Sequence, residues 1–528
     1  MSYSTDLKPT DCTQSDRFKT MIQGKAGGYG FEITPMERLD RFLILGHEGG
    51  TYYAGQRELT CETVDCLDGL VEVDPENVVN HIVEVSQDGR APNNTPAIFA
   101  LAYLTAKVGT RESFLAMEAI PKVCRTSTHL FQYLTFCKEL GRGWGTAFKN
   151  AVAKWYTDRT PMSLAYQVTK YRGRDGWTHR DVLRKCHARG SKDHNDIFEY
   201  VTQPTSWLTK GRVFTAPMIL LAATEEARQP IKPQRAVQLI NNYDLVREHL
   251  HTSVLNNIGV WDALIDNNMP MTALIRNLGK MSSVGLLKLG SPAVKKVCNR
   301  LVNSEELQRA RIHPFQLLVA RKVYARGRGV RGGLNWVVLP QILAALEKAF
   351  YKSFRYLEPT GKTIAIGVDC SLSMSSPVIG SELISCREAA AVMSMVIART
   401  EENYIIRGFS DRLVDLGITA DDTLETCQLK LKRSDWKTTR CSALIEWASS
   451  ERLEVDAFAV MTDNETNRGP HPYAALRSYR NNSGRDAKLG VFGFANSNFS
   501  IADPNDNGMM DFVGFDSYAP MLFNQFIS

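Results

Sequence analysis

No apolar run in this 528-residue sequence approaches the roughly eighteen residues that cross a bilayer. The opening "MSYSTDLKPTDC" is too polar for a secretory signal. Both absences argue against a membrane-spanning or exported chain and predict a cytosolic or nuclear address. CxxC pairs are also missing: 11 cysteines, an odd number, lie scattered along the chain. Neither a disulfide framework nor a cysteine zinc site follows, so the thiols are expected to be reduced and mostly in cores. No disordered or collagen-like bias is present, and at 44% hydrophobic and 23% charged the composition is globular. A chain of this length exceeds one ordinary core, so two or more domains are expected.

The formal charge of +6 hides an asymmetry. From Gly361 onward there are roughly 16 Lys/Arg against about 22 Asp/Glu, leaving the first 360 residues at about +12. Between about Thr95 and Lys352, stretches such as "TPAIFALAYLTAKV", "WGTAFKNAVAKWYTD", "KPQRAVQLINNYDLVREHL" and "LPQILAALEKAFYKSF" place apolar residues near i, i+3, i+4 and i+7. Helices joined by short polar turns, without fixed-period identity, predict stacked pairs of the HEAT or armadillo kind. The loop "ARGRGVRGG", Ala325 to Gly333, suits either phosphate contact or plain solvation. After "LEPTGK" the short runs "TIAIGV", "YIIRGF", "AFAVMTD" and "KLGVFGFA" read as buried parallel strands alternating with helices. The expected organisation is therefore a helical-repeat domain over 1–360 and a doubly wound α/β domain over 361–528.

Ligands of such sheets bind beyond the carboxyl ends of strands, near a switch in strand order. There the sequence places "GVDCSLSMSSP", with Asp369, Ser371 and Ser373 on alternate residues after the first strand. Thr439 follows at the expected start of a helix, and Asp463 ends a later strand in "MTDNET". Two carboxylates and three hydroxyls form an all-oxygen set suited to a hard cation such as Mg²⁺. The competing reading is that these residues only cap helices and close turns. The order Asp-x-Ser-x-Ser, Thr, Asp resembles the metal-ion-dependent adhesion site of the von Willebrand factor A fold. That resemblance makes Asp369, Ser371, Ser373, Thr439 and Asp463 the ligands, with a partner carboxylate completing the shell. Lys437 and Arg440, flanking Thr438 and Thr439, depart from the pattern and would oppose a divalent cation.

Basic residues concentrate between Pro121 and Gly190, about fourteen Lys/Arg against four Asp/Glu, and interleave with aromatics in "VTKYRGRDGWTHRDVLRKCH". Lys170, Arg172 and Arg174 are suited to phosphates, Tyr171 or Trp177 to stacking on an unpaired base, and His179 and His187 to phosphate or base edges. A solvated helix face with Trp177 in the core is the alternative. Taken in order, "CRTSTHLF", "AVAKWY", "YDLVREHL", "MPMTALIRNLGKM", "ARIHPFQLLVA", "MTDNETNRGPHPYAALRSYR" and "FSIADPNDNGMMDFVGFD" resemble the Ro family of RNA-binding proteins with a TROVE module. The resemblance covers nearly the whole chain. It implies a ring of helical repeats closed by a von Willebrand factor A-like domain. It further implies Y RNA on the outer basic surface and the 3′ ends of misfolded small noncoding RNAs in the central hole, in RNA quality control. On that basis Lys170, Arg174 and His187 are the Y RNA residues, with Arg172, His179 and Arg184 as neighbours. Arg125, Lys138, Arg142 and Lys149 are candidates for the other RNA surface.

Two further classes compete. In one, the metal site serves a protein-interaction or adhesion module; in the other, Asp369 and Asp463 serve a metal-dependent nuclease, which would usually need more carboxylates. Hydrolase chemistry lacks a histidine near Ser371 or Ser373 in sequence, His471 being the nearest, and "GKTIAIG" lacks the spacing of a phosphate loop. No catalysis is expected. A ring closed within one chain needs no second subunit, so a monomer is expected.

Overall fold

The helical periodicity becomes a train of helices from Pro35–Leu45 to Pro340–Lys352 in the computed structural model of the chain, packed on one another chiefly within three places in sequence. The structure describes residues 21–24, 27–46, 66–204, 214–330, 333–354, 357–378, 383–431, 438–495 and 497–528. Lys437, Arg331 and the polar opening stretch lie outside them. Helix starts follow the capping residues: Thr110, Thr126, Thr160, Thr178 and Ser191 each accept a backbone N–H from the first turn that follows. Apolar stripes such as Phe148, Val152, Trp155 and Tyr156 on Thr146–Thr157 are buried between neighbouring helices.

The train closes on itself. The Arg311 guanidinium donates to the Gln87 carbonyl, Gln316 Nε2 donates to the Pro92 carbonyl at 3.0 Å, and His313 Nε2 meets the Arg90 carbonyl at 3.0 Å. His313 Nδ1 accepts from Phe315 N at 3.1 Å, so the ring donates through Nε2 and accepts through Nδ1, as only the neutral imidazole does. Burial accordingly lowers its pKa to about 3. Gly89, at φ +69°, lets this approach occur, since a Cβ there would lie 3.0 Å from Arg311 Cβ.

Two short strands precede the helices, β1 (Met21–Gln23) and β2 (Tyr29–Glu32), and a small hairpin, β3 (Gly173–Arg174) and β4 (Trp177–Thr178), interrupts them. The α/β domain carries β5 (Thr363–Asp369), β6 (Asn403–Phe409), β7 (Leu413–Val414), β8 (Ala457–Thr462), β9 (Lys488–Gly493), β10 (Phe499–Ser500) and β11 (Met509–Val513). Its six-stranded sheet has the order β11-β9-β8-β5-β6-β7, with only β7 antiparallel. The chain runs outward from β5 through β6 and then returns to β5's other side as β8. The switch point therefore lies between the carboxyl ends of β5 and β8.

The last helix of the train ends at Lys352 and β5 begins at Thr363, but the first segment of the chain joins the sheet side. β2 pairs antiparallel with β10, and Met21, Tyr29 and Phe31 join the core beneath the sheet. Gly28 is obligatory there, because a Cβ would fall 1.8 Å from the Thr466 carbonyl oxygen. Buried ion pairs tie the halves together. Arg41, fully buried, donates to Asp511 at 2.6 Å and to the Ser497 and Phe499 carbonyls, while Arg90 donates to Asp516 at 2.7 Å. Lys322 reaches Glu388 at 2.8 Å as a third, partly exposed pair between the halves.

Replacing Arg41 by Ala leaves Asp511 buried without its counter-ion. A loss of about 3–5 kcal/mol is expected, read as a lower denaturant midpoint; an unchanged midpoint would show that this pair does not hold the halves together.

Candidate nucleic-acid interface and candidate metal centre

The basic run folds into one exposed face. Helix Pro161–Lys170 ends at Lys170, the β3–β4 hairpin follows, and a capping box of Thr178 and Asp181 starts helix His179–Cys186. Arg172, Arg174, Arg184, Lys185, His187 and Arg189 are all exposed. His187 closes the helix at φ +51°, in the left-handed region, with its N–H on the Leu183 carbonyl and its ring free of the helix core. Lys170 is half-buried: its ammonium donates to the Tyr166 hydroxyl at 3.0 Å and lies 5.2 Å from the Tyr171 ring centroid. Partial burial opposes its charge, but the Tyr166 oxygen and, more distantly, Tyr171 and Glu248 outweigh that and raise its pKa. Arg172 pairs with Glu225 at 2.9 Å. Lys170, Tyr171 and Arg174 line a cleft of about 300 Å³ together with Thr128, Arg228 and Glu248.

The structure corrects two of the expected RNA contacts. His179 is buried at 2% exposure, between the rings of Phe131 and Trp155, with Nδ1 2.9 Å from the Tyr156 hydroxyl. Burial lowers its pKa to about 3, so it is a neutral core residue. Arg125 turns inward, donating to the Ser86 carbonyl at 2.9 Å and hydroxyl at 2.6 Å; burial and nearby Arg311 lower its pKa to about 10. Arg142 lies over the Phe148 ring at 5.1 Å, Lys138 is exposed at the end of Ser127–Glu139, and Lys149 is half-buried on Thr146–Thr157. Beside them stands a pair not anticipated, Trp144 and Trp177 with centroids 6.0 Å apart, half-buried, with the Lys185 ammonium 5.6 Å from the Trp144 ring.

At the switch point the five expected ligands are all buried: Asp369, Ser371, Ser373, Thr439 and Asp463. Asp369 Oδ1 accepts from Ser371 N at 2.8 Å, and the Ser371 and Ser373 hydroxyls are 3.0 Å apart. Asp463 Oδ1 accepts from Glu465 N at 3.1 Å, whereas Oδ2 is buried without a hydrogen bond of normal geometry. Burial raises Asp369 to about 6, against the moderating Ser371 and Thr462 hydroxyls and Arg387. Burial and the neighbouring Asp369 charge push Asp463 well above the carboxylate range, with Ser373 moderating. Two neighbouring buried carboxyls, three buried hydroxyls and a carboxylate oxygen without a donor make a set that fits a hard cation. Arg440 does not oppose it directly, since its guanidinium pairs with Glu446 at 2.6 Å.

Thr462, Asn467 and Arg387 complete the site. The Thr462 hydroxyl donates to Asp369 Oδ2 at 2.7 Å, Asn467 Oδ1 accepts from Thr439 N at 3.0 Å, and Arg387 Nη2 donates to the Ser371 carbonyl at 2.8 Å. Thr462 and Asn467 flank "DNET" and were within reach of sequence reasoning; Arg387 arrives from the helix Cys386–Thr400 with no local signal.

Burial of His179 gives a pH signature. Its unfolded pKa is near 6.5 and its folded value about 3. Its share of stability is therefore complete above about pH 6.5 and lost as pH falls towards 3, at about 1.4 kcal/mol per unit. His179→Phe should flatten the acid limb of stability against pH by that amount, whereas His187→Ala should change stability by less than about 0.5 kcal/mol. Equal effects of the two changes in denaturant titrations would contradict the core assignment.

Comparison with known proteins agrees with this geometry. Residues 22–217 and 241–328 match the TROVE domain, and residues 363–527 the Ro60 vWA domain. The chain is 34% identical to the "RNA-binding protein RO60" of Caenorhabditis elegans, over 96% of this chain and 90% of that protein. To the "RNA-binding protein RO60" of Deinococcus radiodurans it is 36% identical, over 98% of each. The crystal structure of the Deinococcus radiodurans Ro (RSR) protein superposes with a TM-score of 0.71 at 36% identity, covering 94% of this chain and 99% of that one. A helical train closed on itself and joined to a von Willebrand factor A-like domain, matched nearly end to end by these relatives, places the chain in the Ro60 family.

Proposed function

We propose that this protein binds RNA and forms a small ribonucleoprotein. Structured small RNA of the Y RNA kind sits on the outer face carrying Lys170, Arg174 and His187. Single-stranded 3′ ends of misfolded small noncoding RNAs enter the central hole, with Lys138, Arg142 and Lys149 as the candidate contacts. The observation that carries the reading is the run of exposed cations from Arg172 to Arg189, with half-buried Tyr171 at its start and half-buried Trp177 within it. Cations neutralise phosphates and release counterions without regard to sequence, while aromatic faces favour unpaired bases. The relatives at 34% and 36% identity carry the name RNA-binding protein. RNA on the outer face would exclude other RNA sterically, so competition is the regulatory device in quality control. The reading assigns no catalysis to the chain. Ser371 and Ser373 face one another, and His471 is buried against Tyr473 with ring centroids 5.6 Å apart. A monomer in the cytoplasm, with a nuclear pool allowed, belongs to the same proposal.

The test compares wild type with the combined Lys170→Ala/Arg174→Ala/His187→Ala variant, titrated with a structured RNA and with an RNA ending in a free 3′ tail. Loss of the structured RNA by about tenfold or more per two phosphate contacts, with the tailed RNA retained, is the expected result. Equal loss of both would leave one surface rather than two.

A second reading concerns the α/β domain, favoured by the unpartnered Asp463 Oδ2. Asp369, Ser371, Ser373, Thr439 and Asp463 would hold Mg²⁺ or a similar cation, which supplies a positive centre for a partner protein's carboxylate. Mg²⁺ should raise the wild-type Tm in chelator-stripped protein. Asp463→Asn, relieved of the like-charge repulsion, should raise Tm without Mg²⁺ and remove the Mg²⁺ response. A Mg²⁺ response that survives the substitution would place the cation elsewhere.

A further inference from the structure

The cleft beside Lys170 contains one group that phosphate recognition does not use. Glu248, on the short turn Arg247–His249, is exposed at the cleft and has no hydrogen-bond or ion-pair partner among the described residues. A carboxylate beside Lys170, Arg174 and Arg228 weakens their attraction for phosphate. A site built only for the backbone would be better without it.

The other walls supply what a nucleotide needs. Thr128 lines the cleft from the first turn of helix Ser127–Glu139, whose Ser127 and His129 N–H groups are already held by Gln167 and Thr126. Lys170 and Arg174 add charge from the adjoining helix end and hairpin. Tyr171 brings a half-buried aromatic face for stacking. A volume of about 300 Å³ is the size of a single small-ligand site and suits one nucleoside.

The base is then selected by what it offers Glu248. Guanine alone presents two adjacent donors, N1–H and the N2 amino group, on its pairing edge, matching both oxygens of one carboxylate. Adenine and cytosine set an amino donor beside a ring-nitrogen acceptor, and uracil flanks its single N–H with two carbonyls. Each of those acceptors would face a carboxylate oxygen with no proton between them, a desolvated repulsion. Everted bases are read on this edge because pairing no longer occupies it.

The geometry points to the cleft as a receiving site for one unpaired nucleotide with guanine preferred, Glu248 reading the base edge and Lys170 and Arg174 holding its phosphate. This rests on the RNA-binding reading and adds base selectivity to it. The rival account is that Glu248 only tunes Lys170, in which case it would affect every RNA alike.

Four single-stranded nonanucleotides, UUUUXUUUU with X as G, A, C or U, separate the accounts when titrated against wild type and Glu248→Gln. Wild type should bind the guanine probe roughly tenfold tighter than the other three. Glu248→Gln should lose that preference while holding the all-uridine probe as well or better, because a negative charge has gone. Lys170→Ala should weaken all four by one common factor. Equal wild-type affinity for the four probes, or an equal shift of all four in Glu248→Gln, would overturn the inference. Wild type that binds structured RNA but none of the probes would overturn it too. Failure to bind any RNA, structured or not, would instead remove the RNA-binding reading on which it stands. Glu248 is exposed, so an unchanged thermal transition is expected for the variant and checks its folding.

Discussion

Arg90 is the point on which the architecture converges. Its carbonyl accepts from His313 on the far end of the helical train, and its guanidinium pairs with Asp516 of the α/β domain. The Ser517 N–H reaches the same carbonyl at 3.3 Å. One residue thus joins the first repeats, the last repeats and the sheet domain. Remove this junction and the helices form an open solenoid, whose ends move relative to one another because each repeat contacts only its neighbours. Closure converts that soft spring into a frame on which a basic face can hold a fixed spacing.

Burying charge at such a junction is costly unless each ion finds its partner and its remaining donors are satisfied. Arg41 meets most of this demand, with one nitrogen on Asp511 and another on the Ser497 and Phe499 carbonyls, while its Nε is buried without an acceptor. The carboxylates supplied by the α/β domain at the junction are thereby neutralised by arginines from the helical half. The cations between Arg172 and Arg189 stay exposed, and those that pair do so at the surface, Arg172 with Glu225 and Arg174 with Asp175, which leaves them able to exchange counterions with RNA. The metal-site carboxylates follow the opposite logic. Asp369 and Asp463 are gathered, buried, at the switch point, where protonation or a cation relieves their mutual repulsion.

Much of this was legible in the sequence. Helical spacing placed the train, short apolar runs placed the sheet, and the alternate acids and hydroxyls of "DCSLS" located its switch point. Closure was not legible, because Gln87, Arg90 and Pro92 contribute carbonyl oxygens, which every residue has. Nor was the pairing of β2 with β10, since three or four alternating residues carry too little pattern to name a partner over 460 positions away. His179 is a different case. With Val182, Leu183 and Cys186 it occupies i, i+3, i+4 and i+7 of a single buried stripe, and the Thr178 to Asp181 capping box fixes where that stripe begins. Attention to its charge type hid a periodicity already present. Arg125 was misread for the complementary reason: its partner Ser86 lies on a helix two repeats earlier.

The central claim is that the exposed cations between Lys170 and Arg189 hold RNA by neutralising phosphates. Its most direct test is the salt dependence of wild-type affinity for a structured small RNA. The account predicts a linear fall of log K with log salt, with a slope of about −3 or steeper for three or more neutralised phosphates. A slope near zero, or no binding at physiological salt, would contradict it.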